Sequence, residues 1–434
     1  MRFLLVALLF TASVASAGTY ALRGTLVTPD DVIENGVLVI SDGVITAAAA
    51  NAAIPPGARV IDTGGFIYPG LIDLHNHLMW NAFPRWSAGT LTRNRYEWQA
   101  MDRYAVGLSG PQSKVSSVAS CDLARFGEVK SLVWGGTSAT GSLFNSPCTA
   151  GLARNLDTAT SGLDVTPIQY RIFPLELRAN DEKSVRDALA AGNPVVAHLC
   201  EGVDASAARE LRQARAHDYL KKGFIIIHGV PLLDKDFADL GTNGVGFVWS
   251  PRSNIELYGR TADVSSARKH VTMAIAPDWS PSGSSGMIDE MRYAALWNDR
   301  QFPPVFTPKE LVQMATTNPA KLARIDGKTG RLASGLAADY VVVRRGARDA
   351  YSSLIYATHE DMLLVAVGGK PLYGDAAMMH DVNPSARVEA LDVCGAQKGV
   401  DTSDSSATWA DTMKNLTAAF ASFSLPMAGL AECR

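Results

Sequence analysis

Short apolar segments alternate with amphipathic segments between Phe66 and Arg324, and this alternation is the feature that most restricts the fold. The apolar segments, which we expect to be strands, are residues 66–74, 131–137, 165–172, 194–199, 223–228, 244–249 and 271–276. The amphipathic segments, which we expect to be helices, include residues 179–191, 206–222 and 307–322. Strands that alternate with helices form βα units around a parallel sheet. The pattern therefore predicts an α/β fold, a TIM (β/α)8 barrel over residues 66–324.

The regions on either side of the barrel are predicted to share one smaller domain. Two β-branched runs flank Asp42-Gly43, a dipeptide typical of a β-hairpin turn. Further strands are expected near residues 58–62, 330–332, 338–343 and 363–372. Strands at both ends of the chain predict a composite β-sandwich domain made of residues 18–65 and 325–378. Residues 379–434 are predicted to be a polar C-terminal extension with one helix at residues 407–423.

Residues 1–17 have the composition of a cleaved signal peptide. Arg2 supplies a positive start, an apolar run follows, and Ala15 and Ala17 are the small residues that a signal peptidase reads. The run is too short for a permanent membrane anchor, and no cysteine follows it for a lipid anchor. The alternative is a buried N-terminal strand. We expect a secreted or periplasmic protein with no membrane anchor after signal removal.

Composition and charge exclude other classes of protein. Hydrophobic residues make up 47% of the 434 residues and charged residues 19%, as in a well-buried globular enzyme rather than a disordered chain. The formal net charge is −3 and no basic run occurs, so we expect no nucleic-acid partner. Homo-oligomerisation stays open.

The chain has five cysteines, and an exported protein is expected to oxidise some of them. Cys121 with Cys148 and Cys394 with Cys433 are candidate pairs that leave Cys200 free. The sequence does not fix the connectivity, and buried thiols are the alternative. The absence of Cys-x-x-Cys spacing argues against a structural zinc site made of cysteines.

The first predicted barrel strand ends in His75 and His77. Residues two apart on a strand face the same side, so both imidazoles can reach one ion. Barrel enzymes keep their chemistry at the carboxyl ends of the strands. The pattern therefore predicts that both histidines bind a metal.

Three later strands also end in polar residues. His198 ends one of them, with Glu201 three residues on, and His228 ends the next. Asp278 follows the apolar segment 271–276, where an unpaired buried carboxylate is costly and a cation offsets the cost. A helix N-cap is the alternative for Asp278. Four other histidines end no such strand and are expected at the surface or in loops: His217, His270, His359 and His380.

Taken in order, these motifs resemble those of the amidohydrolase superfamily. They are Pro-Gly-x-x-Asp-x-His-x-His at 69–77, His-x-x-Glu-Gly at 198–202, Ile-His-Gly at 227–229, Ser-Pro-x-Ser-Asn at 250–254, the strand-ending Asp278, and the Gly-Arg-Leu at 330–332. The resemblance covers roughly residues 20–375. It is greatest to the branch of cytosine, guanine and adenosine deaminases and triazine hydrolases.

The resemblance implies a division of labour within the site. One divalent ion, Zn²⁺ in preference to Fe²⁺, would be bound by His75, His77, His198 and Asp278. The catalytic residues would be Glu201 as proton shuttle, His228 as the group that polarises the reacting oxygen, and Asp278 as acceptor of a proton from the attacking water. A divalent ion lowers the pKa of bound water toward neutrality and so supplies hydroxide for attack on an sp² carbon.

The resemblance also points to substrate-binding residues. Arg252 and Asn254 lie in the segment that resembles the family's substrate loop, and Arg252 can bind a carboxylate or phosphate unless it is only solvated. Trp279 can stack on a planar ring, whereas core or rim packing is the better expectation for Trp80 and Trp249.

The number of metal ions depends on one absent residue. Binuclear relatives carry a bridging carboxylated lysine on a mid-barrel strand, and residues 168–177 contain no lysine. Glu176 is the acidic residue there and can bridge two ions instead. We therefore expect one ion, with two as the alternative.

Three functions follow as hypotheses. The first is hydrolysis of a C–N bond other than a typical peptide bond in a small molecule, with deamination of a heterocycle favoured. The second is an exported amidase, cyclic amidase or dipeptidase with one or two metals. The third is a catalytically inactive barrel that binds a ligand.

Overall fold

The computed structural model describes residues 18–141, 148, 151–159 and 161–433. The predicted signal peptide at residues 1–17 lies outside the described residues. The strands are β1 Tyr20–Val27, β2 Val32–Ser41, β3 Val44–Ala50, β4 Arg59–Pro69, β5 Leu71–Asp73, β6 Gly136–Ala139, β7 Arg154–Asn155, β8 Gln169–Arg171, β9 Val195–Leu199, β10 Phe224–His228, β11 Gly246–Trp249, β12 Met273–Ile275, β13 Tyr340–Arg344, β14 Met362–Val367, β15 Lys370–Gly374, β16 Glu389–Val393 and β17 Ala396–Val400.

The helices lie mainly between the central strands. They are α1 Arg95–Gln99, α2 Asp102–Tyr104, α3 Gly110–Val133, α4 Ala179–Ala190, α5 Ala205–Ala216, α6 Asp234–Thr242, α7 Pro251–Tyr258, α8 Val264–His270, α9 Met287–Asn298, α10 Pro308–Ala315, α11 Thr317–Leu322, α12 Ala350–Ile355, α13 Ala376–Val382 and α14 Trp409–Ser422. A 3₁₀ helix, Leu78–Trp80, and a π-helical segment, Ala105–Ser109, accompany them.

Eight parallel strands form the barrel. They are paired in two groups, β5-β6-β7 and β8-β9-β10-β11-β12. The backbone N–H of Ile168 donates to the carbonyl of Leu156 at 2.8 Å, and that of Asp278 donates to the carbonyl of His75 at 3.0 Å. These bonds join the two groups at both edges, so the eight strands enclose one core. The predicted TIM-type barrel is confirmed.

The barrel strand predicted over residues 131–137 is only partly correct. Residues 131–133 are the buried last turn of α3, and β6 begins only at Gly136. An apolar run that ends a buried helix has no periodicity to distinguish it from a strand. The short segment 330–332 is likewise not a strand, because the chain turns there before β13.

The two ends of the chain share a nine-stranded sheet in the order β16-β17-β15-β14-β13-β4-β1-β2-β3. The Asp42-Gly43 turn between β2 and β3 has φ of 51° and 79°, as a two-residue hairpin turn requires. Residues 379–434 are less separate than the sequence indicates, because β16 and β17 extend this same sheet. The helix predicted at 407–423 is α14, which packs against α3.

Both candidate disulfides are present. Cys121 is bonded to Cys148, Cys394 is bonded to Cys433, and Cys200 is a buried free thiol. The second bond ties the segment after α14 to the turn between β16 and β17. Among the described helices, none has both the length and the apolar character needed to cross a bilayer.

Candidate metal centre and substrate pocket

The candidate metal ligands meet at one end of the barrel because each follows or ends a parallel strand. His75 and His77 come just after β5, His198 lies near the end of β9, and Asp278 comes after β12. Each is at least nine-tenths buried. The structure thus brings together all four residues of the predicted ligand set, and it adds His228 from the end of β10.

One carboxylate oxygen of Asp278 faces two imidazoles. Its Oδ1 lies 3.1 Å from His75 Nε2 and 3.3 Å from His77 Nε2. Its other oxygen, Oδ2, accepts a hydrogen bond from Ser253 Oγ at 2.5 Å. The serine therefore fixes the carboxylate with Oδ1 directed at both histidines.

His75 provides the test of whether these residues fit a metal ion. Burial lowers the pKa of His75 to about 4, so the imidazole is neutral near pH 7. Its Nδ1 lies 2.7 Å from Ser250 Oγ, while its buried Nε2 has no hydrogen-bond partner among the described residues. When Nδ1 donates to the serine, Nε2 presents a lone pair to Asp278 Oδ1. Two acceptors this close are stabilised by a cation, so the arrangement fits a divalent metal.

A second group of ligand atoms shares His75. The ligand-capable atoms of His75, His198 and His228 all lie within 4.8 Å of one another. His228 Nε2 is 3.2 Å from His198 Nδ1, and His228 Nδ1 donates to Asn254 Oδ1 at 2.9 Å. Asn254, predicted to bind substrate, is fully buried and instead orients His228.

Tyr170 is a member of this group that the sequence did not single out. It lies on the short strand β8, and its hydroxyl is 2.9 Å from His198 Nε2. It is in the same mid-barrel segment that lacks the bridging lysine. The acidic alternative in that segment, Glu176, is exposed and accepts a hydrogen bond from Tyr96 at 2.8 Å, away from the histidines. Glu176 is therefore not placed to bridge two ions at the histidines.

Glu201 lies beside the histidines as a buried carboxylate. Its Oε1 accepts a hydrogen bond from Tyr258 at 2.7 Å, and its Oε2 is 3.6 Å from His198 Nδ1 and 3.5 Å from His228 Nε2. Burial alone would raise the pKa of Glu201, but His228, His198 and Arg95 together bring it below its ordinary value. Glu201 is therefore ionised and able to accept a proton.

The backbone is strained at three of these strand ends. Cys200, His228 and Asp278 have φ of 57°, 75° and 64°, a left-handed conformation that residues other than glycine seldom adopt. Such outliers persist where the surrounding contacts fix them and are concentrated at functional sites. Each one is at, or next to, a residue of the candidate centre.

A cavity of about 150 Å³ opens over the centre. His77, His198, Glu201, His228 and Asp278 line it on one side. Its remaining described lining is largely aromatic and apolar: Trp80, Trp98, Gln99, Tyr104, Ile172, Phe173, Leu257 and Trp279. Trp279 was the tryptophan expected to meet a planar ring, and its ring centroid lies 5.7 Å from that of His77.

Three of the aromatic residues, Trp80, Trp98 and Tyr104, come from the segment between β5 and α3, and we term these three the aromatic roof. Trp98 and Tyr104, together with Phe173 and Gln99, were not predicted from the sequence. The density of aromatic residues just after the His-x-His strand was the one available signal. Trp98 Nε1 donates to Tyr258 Oη at 2.9 Å, so the roof contacts Glu201 through Tyr258.

Arg252, predicted to bind substrate, lies outside the cavity, and Trp249 packs in the core as expected. Arg252 Nη1 pairs with Asp289 Oδ2 at 2.9 Å, and its side chain is directed from α7 toward α9. Trp249 is buried in the core, where its Nε1 donates to Thr261 Oγ1 at 2.7 Å. On α7, Ser253 and Asn254 face the barrel, and this leaves the neighbouring Arg252 on the outer side.

The sequence is similar to a known family and to several deaminases. The model of the Amidohydrolase family matches residues 181–372. The chain is 30% identical over 166 residues to 5-methylthioadenosine/S-adenosylhomocysteine deaminase of Caldicellulosiruptor saccharolyticus, which covers 36% of this chain and 38% of that protein. It is 26% identical over 401 residues to the enzyme of that name from Symbiobacterium thermophilum, covering 80% and 88%. The chain spans less than half the length of some of these relatives, 49% for one from Syntrophus aciditrophicus.

Solved structures share the fold over nearly the whole chain. An adenosine deaminase from Xanthomonas campestris with bound zinc has a TM-score of 0.71 at 18% identity, covering 93% of this chain and 98% of that one. A guanine deaminase from Bradyrhizobium japonicum has a TM-score of 0.62 at 18% identity, covering 83% and 100%. A triazine hydrolase variant has a TM-score of 0.69 at 17% identity, covering 93% and 99%.

At these sequence identities the structural similarity supports the fold and not the function. The sequence match over residues 181–372 lies within that fold and includes His198, Glu201, His228 and Asp278. His75 and His77 precede the match and meet those residues at the same end of the barrel. The chain thus matches the Amidohydrolase family over residues 181–372 and shares its fold with the adenosine and guanine deaminases above.

Proposed function

We propose that the protein hydrolyses a C–N bond of a small molecule with the help of a divalent metal ion, and that the reaction is deamination of a heterocycle. One observation carries the proposal: the ionised carboxylate of Glu201 lies beside a fully buried histidine–aspartate cluster at the base of an aromatic cavity. The relatives named as deaminases support the same reaction.

The metal would be held by His75, His77, His198 and Asp278. A bound divalent ion would supply Lewis-acid chemistry and lower the pKa of a water molecule. The imidazole and carboxylate ligands fit either Zn²⁺ or Fe²⁺, and zinc is favoured because a structural neighbour contains zinc. A single ion is favoured because Glu176 is directed away from the cluster.

The protein residues handle the protons of the reaction. Glu201 Oε2 accepts a proton from the attacking water and delivers it to the substrate, while Tyr258 holds Oε1. Asn254 Oδ1 accepts from His228 Nδ1 and so fixes the ring with its Nε2 facing the centre, where the Nε2 lone pair accepts a hydrogen bond from the O–H of the attacking water. Asp278 accepts the second proton of that water and passes it to the leaving amino group, which departs as ammonia. The net reaction consumes water, replaces the ring C–NH₂ by C–OH or its oxo tautomer, and releases ammonia.

An ammonia-release assay tests the proposal. Zinc-loaded protein is incubated with heterocyclic amines, simple and cyclic amides, and dipeptides, and the Glu201→Gln variant is the matched control. We expect ammonia from a heterocyclic amine with the wild type only, at equal metal content. If only an amide or a dipeptide gives product, the protein is an amidase and not a deaminase. A protein that binds no divalent ion would overturn the proposal.

We also propose that the protein functions in an oxidising compartment, as a secreted or periplasmic enzyme. The two disulfides support this location, because cytosolic thiols are kept reduced. Cell fractionation combined with thiol labelling tests it. An extracytoplasmic protein with one labelled thiol, Cys200, is expected, and a cytosolic protein with five labelled thiols would contradict it.

A further inference from the structure

We propose that the pocket selects an uncharged, planar heterocycle and that Gln99 hydrogen-bonds to the edge of that ring. The inference rests on the proposed deamination and specifies its substrate class. It separates free bases and neutral nucleosides from substrates that carry a phosphate or carboxylate.

The shape of the pocket favours a flat ring. The ring centroid of Trp279 lies 5.2 Å from that of Trp80 and 5.8 Å from that of Trp98. The interplanar angles of the two pairs are 68° and 47°. Trp80 and Tyr104 are stacked at 15°. Aromatic faces at several angles surround the cavity above His77 and Asp278. Such surfaces bind a planar ring by stacking and edge-to-face contact.

The charges of the pocket disfavour an anion. The two carboxylates that line the cavity, Glu201 and Asp278, offset the charge of a bound divalent ion, and no lysine or arginine is found in the lining within the described part of the chain to pair with an anionic substituent. Arg95 contacts the carbonyl of Ile172 at 2.8 Å, but its guanidinium is paired with Glu210 at 3.1 Å and does not line the cavity. An anionic substituent would therefore lose its hydration without gaining a counterion.

Gln99 supplies a group that can recognise an uncharged ring. It is the last residue of α1, lines the cavity and is only partly exposed. Its amide makes no hydrogen bond to another described residue, whereas the indole N–H groups of Trp98 and Trp279 are bonded to Tyr258 and Ser282. A carboxamide offers a donor and an acceptor side by side. This pair complements the N and N–H positions along the edge of a heterocycle.

Binding of matched ligand pairs tests the charge selection without requiring turnover. The zinc-loaded Glu201→Gln variant is titrated with adenosine and adenosine 5′-monophosphate, and with cytidine and cytidine 5′-monophosphate, and tryptophan fluorescence quenching is recorded. We expect the neutral member of at least one pair to bind at least about tenfold more tightly than its phosphate, because the phosphate is desolvated without a counterion. Equal or tighter binding of the phosphate, or no binding of any neutral ring, would overturn the inference.

This design separates the inference from the proposed function. If neutral rings bind but the wild-type protein releases no ammonia from them, the charge selection is supported and deamination is refuted. Ammonia release from phosphorylated nucleosides at rates equal to the neutral ones would support deamination and refute the charge selection.

The role of Gln99 is tested by replacing its amide. Gln99→Leu keeps a similar size, and Gln213→Leu on the exposed face of α5 is the control. We expect Gln99→Leu to weaken binding of the preferred neutral ring about tenfold, as for one lost hydrogen bond in a buried site. Metal content should be unchanged in both variants. Binding equal to that of the control would show that Gln99 does not contact the ring.

Discussion

The strand-end cluster of His75, His77, His198, His228 and Asp278 differs from the aromatic roof in how it is held. The cluster residues end or follow parallel strands: β9 and β10 pair with a strand on each side, and β5 and β12 are joined by the hydrogen bond from Asp278 N–H to the carbonyl of His75. The roof lies in a segment with only short helices, and this segment is held by side-chain contacts and by isolated backbone hydrogen bonds, such as that from Arg95 N–H to the carbonyl of Glu201 at 3.2 Å. The barrel therefore fixes the reaction chemistry, whereas the less regular segment controls which molecule reaches it.

Two side chains anchor the roof segment. Arg95 is buried, and its guanidinium donates to the carbonyl of Ile172 and to Glu210. Trp98 donates to Tyr258, which in turn donates to Glu201. The second contact is the direct hydrogen-bonded route from the roof to the proton-handling carboxylate. Variants on either side of this route should thus affect chemistry and substrate binding to different extents.

The largest effect is expected in the cluster itself. His75→Ala and Asp278→Asn each remove a ligand atom from the buried group, so both variants should lose the metal and fall below detectable activity. Metal analysis of the purified variants and the ammonia assay measure this. His217→Ala, at a partly exposed pair with Glu182, is the control and should keep both properties. Full metal occupancy in Asp278→Asn would remove that residue from the ligand set.

Glu201→Gln should separate metal binding from turnover. The amide keeps the size of the side chain but cannot accept a proton, so kcat should fall by about 10²–10⁴ at unchanged metal content. Steady-state kinetics with the metal-loaded variant measure the change. Loss of the metal in Glu201→Gln would instead show that this carboxylate is a ligand and that the proton passes through another group.

The sequence revealed the cluster far better than the roof, and the reason is physical. His75, His198 and His228 stand out because apolar strands place them at fixed, recognisable ends. Trp98 and Tyr104 follow no helical or strand periodicity, so nothing in the sequence shows which way their rings point.

Other residues depended on contacts between distant parts of the chain. Tyr258 reaches Glu201 across 57 positions, and Tyr170 reaches His198 across 28. Arg252 was visible next to a strand end, but the direction of α7 places it on the outside. Local sequence therefore predicts where the ligands lie, whereas the orientation of helices and loops is decided by tertiary packing.

Tyr258→Phe should produce an intermediate effect on chemistry. It removes the hydroxyl that holds Glu201 Oε1 and accepts from Trp98, so the carboxylate loses a positioning bond while the aromatic wall stays intact. We expect kcat to fall about tenfold, with KM and metal content nearly unchanged, as for one lost hydrogen bond to a charged group. Tyr293→Phe, on the outer helix α9, is the matched control. A rise in KM without a fall in kcat would assign Tyr258 to substrate binding.

Arg252→Gln is the smallest expected effect and tests the boundary of the pocket. The guanidinium is bonded to Asp289, and it also lies 3.7 Å from Glu256 and Glu432, so the substitution should lower the melting temperature slightly. Catalysis should change by less than about twofold, because the side chain does not line the cavity. Thermal denaturation and kcat/KM for a neutral and a phosphorylated nucleoside measure both properties. A selective loss of the phosphorylated substrate would show that Arg252 turns toward the pocket when ligand binds. Charge selection would then come from the outer face of α7, and the division between a chemical barrel and a selective roof would no longer hold.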